Sequence, residues 1–434
     1  MLKKFKWLGL IAGGILLFII LVLALSPSIR NSVLYRWDGF RTQIKYLVDP
    51  PQKAVFIPEN QQSQVDLIVQ QTLMALTPTV TNTPQPIIAL TPESSATPTI
   101  TPTPLPAQVK LDGINFQSQR YMWNYCAPAN LAMALSFWGW KGDRLTTGPW
   151  LKPYSEDKNV MPYEMKDYVE SQTDLKAVIR FGGDLDVVKA FIGAGFPVLV
   201  EKGEVLHGEY GPGSTGWMGH YMVFNGYDDA GKFLVAQDSL AGPDQEYPYE
   251  TLETDWRAFN YVYMVIYPPE KDADVMRILG PQADEKANYE YAALKASNEV
   301  MGLSGREKFF ALYNRGTNLV ELQDYGGAAL IYDEAFLYYE SDIPEADRPY
   351  RALWYQTGPY KAYYYTGRYW NVINLATVTL DTMTKATAEE SFYWRARAEL
   401  ALGDTAGAYK DVQQALKFHE GFEPARQLLT EMGY

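Results

Sequence analysis

The chain contains a single cysteine, Cys126, in the run Tyr125-Cys-Ala-Pro-Ala-Asn-Leu-Ala-Met133. Pro128 is favoured in the first turn of a helix, and the apolar residues after it predict a buried helix that ends near Gly139. A thiol at a helix N-terminus ionises more readily, because unpaired N–H groups and the helix dipole favour an anion there. Cys126 is therefore a candidate nucleophile. The alternative is a small buried apolar residue, the usual fate of a lone free cysteine.

A histidine and an aspartate stand at the far ends of a predicted β-hairpin. His220 opens the β-rich run 220–227, Asp238 closes the run 232–238, and turn residues join the two. A three-residue loop would place His220 directly opposite Asp238, with Cβ atoms about 5 Å apart. A four-residue loop would slip the register, so that Asp238 faces Tyr221 instead.

These residue types suit thiol-based acyl chemistry. A thiol nucleophile needs a base near neutrality, for which His220 is the candidate, and Asp238 would orient the imidazole. Gln119, seven residues before Cys126, could donate to the oxyanion together with backbone N–H groups. The alternative for His220 is a structural role, which is common for a histidine at the start of a strand.

Five runs resemble the papain-like bacteriocin-processing (double-glycine leader) peptidases, in their branch of stand-alone exported C39-like domains. The resemblance covers about 111–268 and implies an α+β papain-like fold. It implies Cys126 as nucleophile, His220 as base, Asp238 as orienting acid and Gln119 as oxyanion donor. Ala127 departs from the glycine usual in the family, beside the oxyanion site. The runs are Phe116–Gln119, Tyr125–Met133, Gly195–Val200, Gly219–Tyr227 and Ala236–Asp238.

Two tryptophans near the candidate residues, Trp123 and Trp217, are predicted to line a substrate cleft, with core packing as the alternative. The glycine-rich run 208–219 is either a mobile lid before His220 or a plain connection. We therefore expect a peptide or protein substrate in a cleft around Cys126.

The N-terminal part of the chain predicts a membrane anchor and a stalk. Residues 1–26 comprise a lysine-bearing tip and the uncharged run Trp7–Leu25, about enough to cross a ~30 Å hydrocarbon core. The lysines predict a single-pass protein of the cell membrane with a cytoplasmic N-terminus and the remaining chain outside. A cleaved signal peptide is the alternative. The juxtamembrane segment 27–76, with a short helix at Gln61–Ala75, shows no chemistry, and the Thr/Pro-rich tract 77–107 predicts an extended linker.

The remaining chain is predicted to form two domains. Residues 108–270 carry mixed helix and strand patterns, whereas residues 285–434 are helical. The helical part resembles tetratricopeptide repeats in three units, 309–336, 354–376 and 394–424, where small residues alternate with aromatic ones. The resemblance implies a surface that binds a protein partner. The alternative is a helical cap that stabilises the preceding domain.

The composition of the chain argues against several classes of function. The net charge of −13 argues against nucleic-acid binding. A single cysteine and scattered histidines imply neither an intramolecular disulfide, nor a metal, nor a cofactor. The sequence thus predicts a membrane-anchored, extracytoplasmic cysteine peptidase. The alternatives are an inactive peptidase-like binding module, and a thiol enzyme that joins peptides by acyl transfer.

Overall fold

The computed structural model describes residues 26–48, 56–58, 105–122, 124–154, 156–157, 159–207 and 215–434. The predicted anchor Trp7–Leu25, the predicted helix Gln61–Ala75 and the linker up to residue 104 lie outside these ranges. None of the helices within them is both long and apolar enough to span a bilayer.

One described helix, α1 (Pro27–Val48), falls in the juxtamembrane segment, where the sequence predicted a helix only after residue 60. Several of its large apolar side chains are exposed, including Trp37 and Leu47. Because α1 has no consistent apolar face, its sequence shows little of the apolar periodicity from which helices are predicted.

An antiparallel sheet of seven strands forms the centre of the first domain. The order of neighbouring strands is β2-β7-β3-β4-β5-β6, and β1 pairs with β4 outside this path. The long strand β4 pairs with β3 along its first part and with β5 along its second part. The strands are β1 (Gln108–Lys110), β2 (Lys176–Arg180), β3 (Val198–His207), β4 (Thr215–Asp228), β5 (Phe233–Asp238), β6 (Gly242–Pro248) and β7 (Tyr263–Tyr267).

Six helices accompany this sheet. The helix that starts at Cys126 is buried from Ala127 to Ser136, because its side chains are almost all apolar or small. It packs against β3, β4 and β5 and so fixes the cysteine to the sheet. The helices are α2 (Cys126–Phe137), α3 (Arg144–Leu151), α4 (Pro162–Gln172), α5 (Leu185–Gly193), α6 (Tyr249–Arg257) and α7 (Asp272–Leu279).

Nine further helices make up the C-terminal region, which confirms that it is helical. Three antiparallel pairs, α9/α10, α12/α13 and α14/α15, are joined by short turns that each hold a residue at positive φ: Gln323, Gly367 and Gly403. The assignment of these pairs as tetratricopeptide repeats stays a prediction. The helices are α8 (Glu285–Gly302), α9 (Gly305–Glu321), α10 (Tyr325–Ser341), α11 (Ala352–Tyr355), α12 (Gly358–Tyr365), α13 (Tyr369–Asp381), α14 (Glu389–Ala401), α15 (Thr405–Phe418) and α16 (Glu423–Glu431).

The sheet domain and the C-terminal helices share an apolar cluster and belong to one compact unit. Trp217 of β4 stacks on Phe259 with ring centroids 5.8 Å apart, and it contacts Phe310 of α9 at 5.4 Å. Asn314 of α9 also donates a hydrogen bond to the carbonyl of Arg257 over 2.7 Å. The helical region is therefore packed onto the sheet through buried contacts.

Candidate active site

Cys126 is the first residue of α2 and is partly exposed, as the sequence predicts. The amide of Asn130, one turn later, fixes this end of the helix. Its Nδ2 donates to the carbonyls of Cys126 (2.9 Å) and Tyr221 (2.7 Å), and to Oγ of Ser239 (3.0 Å). One buried amide thus ties the N-terminus of α2 to β4 and to the turn after β5.

His220 and Asp238 meet, although neither predicted hairpin register is correct. The strands pair Asp228 with Phe233 next to the turn and Val223 with Gln237 at the far end, with a bulge between Phe224 and Gly226. Extended by one residue, this register places Asp238 opposite Met222, which lies on the same face as His220. Diagonal neighbours on one face remain within side-chain reach. His220 Nε2 therefore lies 2.8 Å from Asp238 Oδ1.

The histidine also contacts the cysteine. Cys126 and His220 line the same cavity, and hydrogen bonding and charge from His220 lower the pKa of the thiol. Because Nε2 of His220 faces Asp238, Nδ1 is the nitrogen left for the sulfur. The imidazole therefore lies between the thiol, with which it shares a cavity, and the carboxylate, to which it is hydrogen-bonded.

Electrostatics favour a charged pair at this site. Burial raises the pKa of the Cys126 thiol, but the hydrogen bond and charge of His220 outweigh it, so that the pKa lies below its ordinary value. Burial alone would lower the pKa of His220, yet the Asp238 carboxylate and the cysteine raise that pKa to about 10. Asp238 has a pKa below its usual range, since His220 and two backbone N–H groups overcome its burial. The arrangement favours a thiolate beside an imidazolium near neutral pH.

Gln119 lines the same cavity as Cys126 and His220. Its backbone N–H donates to the carbonyl of Ser239 over 2.8 Å, and its Oε1 accepts from the Ser239 hydroxyl over 2.7 Å. With the carbonyl oxygen engaged, the Nε2 group is the part of the amide that remains to donate. This orientation suits a donor to an oxyanion beside the sulfur.

Of the two tryptophans predicted to line a cleft, Trp217 is the one that the structure describes. Trp217 is buried among Phe259, Phe310 and Tyr355 and does not line the cavity that holds Cys126. Its large apolar ring fills the core between the domains, which was the alternative role. Trp123 lies outside the described residues, as does the part of the glycine-rich run at 208–214. The rest of that run, 215–219, belongs to β4.

Two lining residues were missed in the sequence. Glu201 of β3 is buried, and burial raises its pKa well above the ordinary value despite a hydrogen bond with Tyr221. A carboxylate directly after the apolar strand residues 198–200 is the signal that could have drawn attention to it. Tyr355 comes from α11 of the helical region, and its distance along the chain leaves no sequence signal. The cavity they share with the cysteine has a volume of about 40 Å³.

One metal-compatible grouping occurs among the described residues. Glu164, Glu389 and His419 each bring one ligand atom within 4.8 Å of the others. These groups already have protein partners, however. His419 Nδ1 lies 3.0 Å from Glu389 Oε1, and Glu164 Oε2 accepts from the N–H of Met161 over 2.7 Å. That the protein uses no metal stays a prediction.

Part of the chain is similar to known proteins. Residues 106–264 match the family described as "Peptidase_C39 like family". The crystal structure of a proposed C39-like peptidase from Bacillus anthracis aligns with 37% of this chain and 96% of its own length, at 18% identity and a TM-score of 0.30. The search of curated proteins returned no match. Residues 106–264 thus form a domain similar to the C39-like peptidases, followed by a helical region that the family match does not cover.

Proposed function

We propose that the protein is a cysteine peptidase in which Cys126, His220 and Asp238 act as a catalytic triad and Gln119 helps to bind the oxyanion. The observation that carries the proposal is the buried pair of His220 and Asp238, with 2.8 Å from His220 Nε2 to Asp238 Oδ1, in the cavity that also holds Cys126. A structural role for His220 would not require a partly exposed sulfur on its other side.

The proposed reaction begins with the thiolate. The sulfur of Cys126 attacks the peptide carbonyl carbon, and the carbonyl oxygen takes the electron pair and is held by Gln119 and backbone N–H groups. As the tetrahedral species collapses, the imidazolium of His220 gives its proton to the amine nitrogen and the C–N bond breaks. His220 then takes a proton from water, which attacks the acyl group and releases the free acid and the thiolate.

The uncharged N-terminal run supports a second part of the proposal, a chain anchored in the cell membrane with its peptidase-like domain outside. The helical region would bind a protein partner or deliver a substrate.

An inactive peptide-binding module is the second candidate. Two observations favour it: the small cavity of about 40 Å³ beside the sulfur, and Ala127, buried beside the cysteine where a glycine is usual. Acyl transfer between peptides would use the same nucleophile and the same acyl intermediate.

A library of peptides incubated with the full chain at neutral pH under reducing conditions distinguishes these functions. Mass spectrometry should find peptides split by the wild type and intact with Cys126→Ala, because the chain holds no second thiol. Joined peptides would indicate acyl transfer. Peptides that stay intact with the wild type would contradict the peptidase function.

A further inference from the structure

A second, larger cavity begins where the cavity of the candidate active site ends. Its volume is about 350 Å³, and it lies between the sheet domain and the helical region. Glu201 and Tyr355 line both cavities. The two cavities therefore adjoin at these two side chains, close to the sulfur-bearing end of the active-site cavity lining.

Of the twenty residues that line the larger cavity, nine are aromatic or aliphatic. Phe181 and Tyr289 stack with ring centroids 5.4 Å apart on one side, and Phe259 and Val262 line another. Aromatic walls of this kind favour an apolar guest, above all another ring. A cavity of this size is at the lower end of the range for small ligands, which suits one large side chain.

Among the charged residues that line the cavity, Arg180, Lys361 and Glu321 interact with other groups of the protein. The guanidinium of Arg180 donates to the carbonyls of Ile179, Gln282 and Ala283. Lys361 Nζ lies 3.1 Å from Glu321 Oε1. Arg180 and Lys361 are therefore poorly placed to recognise an acidic guest, and Lys166 is the third cation in the lining.

Glu201, which lines both cavities, is buried, and this burial raises its pKa well above the ordinary value. A buried carboxyl group with no cationic partner is most stable in its neutral form. The boundary is then uncharged, which again suits an apolar side chain.

We propose that this interdomain cavity is the subsite for a large apolar, preferably aromatic, side chain of the substrate residue beside the scissile bond, and that Tyr355 of the helical region is a specificity-determining residue. The proposal rests on the peptidase function proposed above. It gives the helical region a direct part in substrate selection, since the region supplies Tyr355 and Tyr289 to the walls.

The test uses matched peptides that differ only by Phe or Gly, scanned through the positions around the cleavage site. In the wild type, one position should favour Phe over Gly in kcat/KM by roughly tenfold or more. Tyr289→Ala removes a wall of the cavity and should bring this ratio towards one, mainly through KM. Tyr291→Ala is the matched control, because Tyr291 is exposed on the same helix and does not line the cavity. Tyr355→Ala should also reduce the ratio.

The same peptides, bound to the full chain carrying Cys126→Ala and measured by calorimetry, separate this proposal from the peptidase function. If the wild type cleaves no peptide, the peptidase function is contradicted. The ratio of the affinities for the Phe and Gly peptides then tests the proposed subsite by itself. A ratio that falls with Tyr289→Ala but not with Tyr291→Ala supports the subsite. A Phe preference that is absent, or that persists in both Tyr289→Ala and Tyr355→Ala, overturns it.

Discussion

At the scale of single residues, the site depends on a balance between burial and charge. His220 and Asp238 are only 3% and 6% exposed, so each would resist ionisation alone. Placed 2.8 Å apart, they stabilise each other as ions, and the imidazolium in turn stabilises the Cys126 thiolate. The charged pair is lost at low pH when the sulfur regains its proton. It is lost at high pH as His220 deprotonates near its pKa of about 10.

Replacing the carboxylate tests this balance. Asp238→Asn removes the charge that raises the pKa of His220, so the alkaline limb of the pH–activity profile should move to lower pH. Near neutral pH, kcat should fall by roughly a hundredfold or more with a small change in KM, because acid–base catalysis is weakened. Asp274→Asn, a change at an exposed aspartate, is the control and should match the wild type. An unchanged alkaline limb would contradict an orienting charge at Asp238.

At the scale of elements, the hairpin shows what the sequence could predict of the site and what it could not. Run composition placed His220 and Asp238 on adjacent antiparallel strands, and both predicted registers were nevertheless wrong. The bulge after Phe224 is a backbone irregularity that composition does not reveal. The predicted direct pairing of His220 with Asp238 differs from the observed register by two residues, so the two side chains still lie on the same face of the sheet. A slip of one residue would have put the Asp238 carboxylate on the opposite face.

Two other elements, β6 and α3, were not predicted because their sequences lack the usual apolar patterns. Strand β6 is an edge strand with mostly exposed, polar residues, so it lacks the alternation that marks a half-buried strand. Helix α3 contains Pro149 and relies on a capping box at Asp143 rather than on an apolar stripe. By contrast, α2 was predicted nearly to its ends, because its side chains form a buried apolar run.

At the scale of the whole molecule, the helical region contributes side chains to the core and to the active-site cavity of the first domain. Trp217, predicted to line a cleft, fills the core where the sheet meets α9. Tyr355 of the helical region lines the cavity that holds Cys126. Neither placement follows from the sequence, because each depends on how two domains pack, and residue patterns specify only the faces of single elements.

The packing of Trp217 can be tested directly. Trp217→Ala should lower the free energy of unfolding by about 3–5 kcal/mol, measured by denaturant titration, because it leaves a cavity in the shared core. Trp370→Ala is the control, since Trp370 is 57% exposed and should change stability little. An unchanged stability together with a raised KM would instead place Trp217 in the substrate cleft.

The most direct measurement of the central claim is the pH dependence of alkylation of Cys126 by iodoacetamide, which reports one site because the full chain contains a single cysteine. In the wild type, the rate should rise with pH and reach its plateau below the ordinary thiol pKa of about 8.5. In His220→Gln, the rise should move above that value, since burial then acts on the thiol without an opposing charge. Profiles of wild type and variant that coincide at or above the ordinary thiol pKa would contradict a thiolate–imidazolium pair, and with it the proposed catalytic triad.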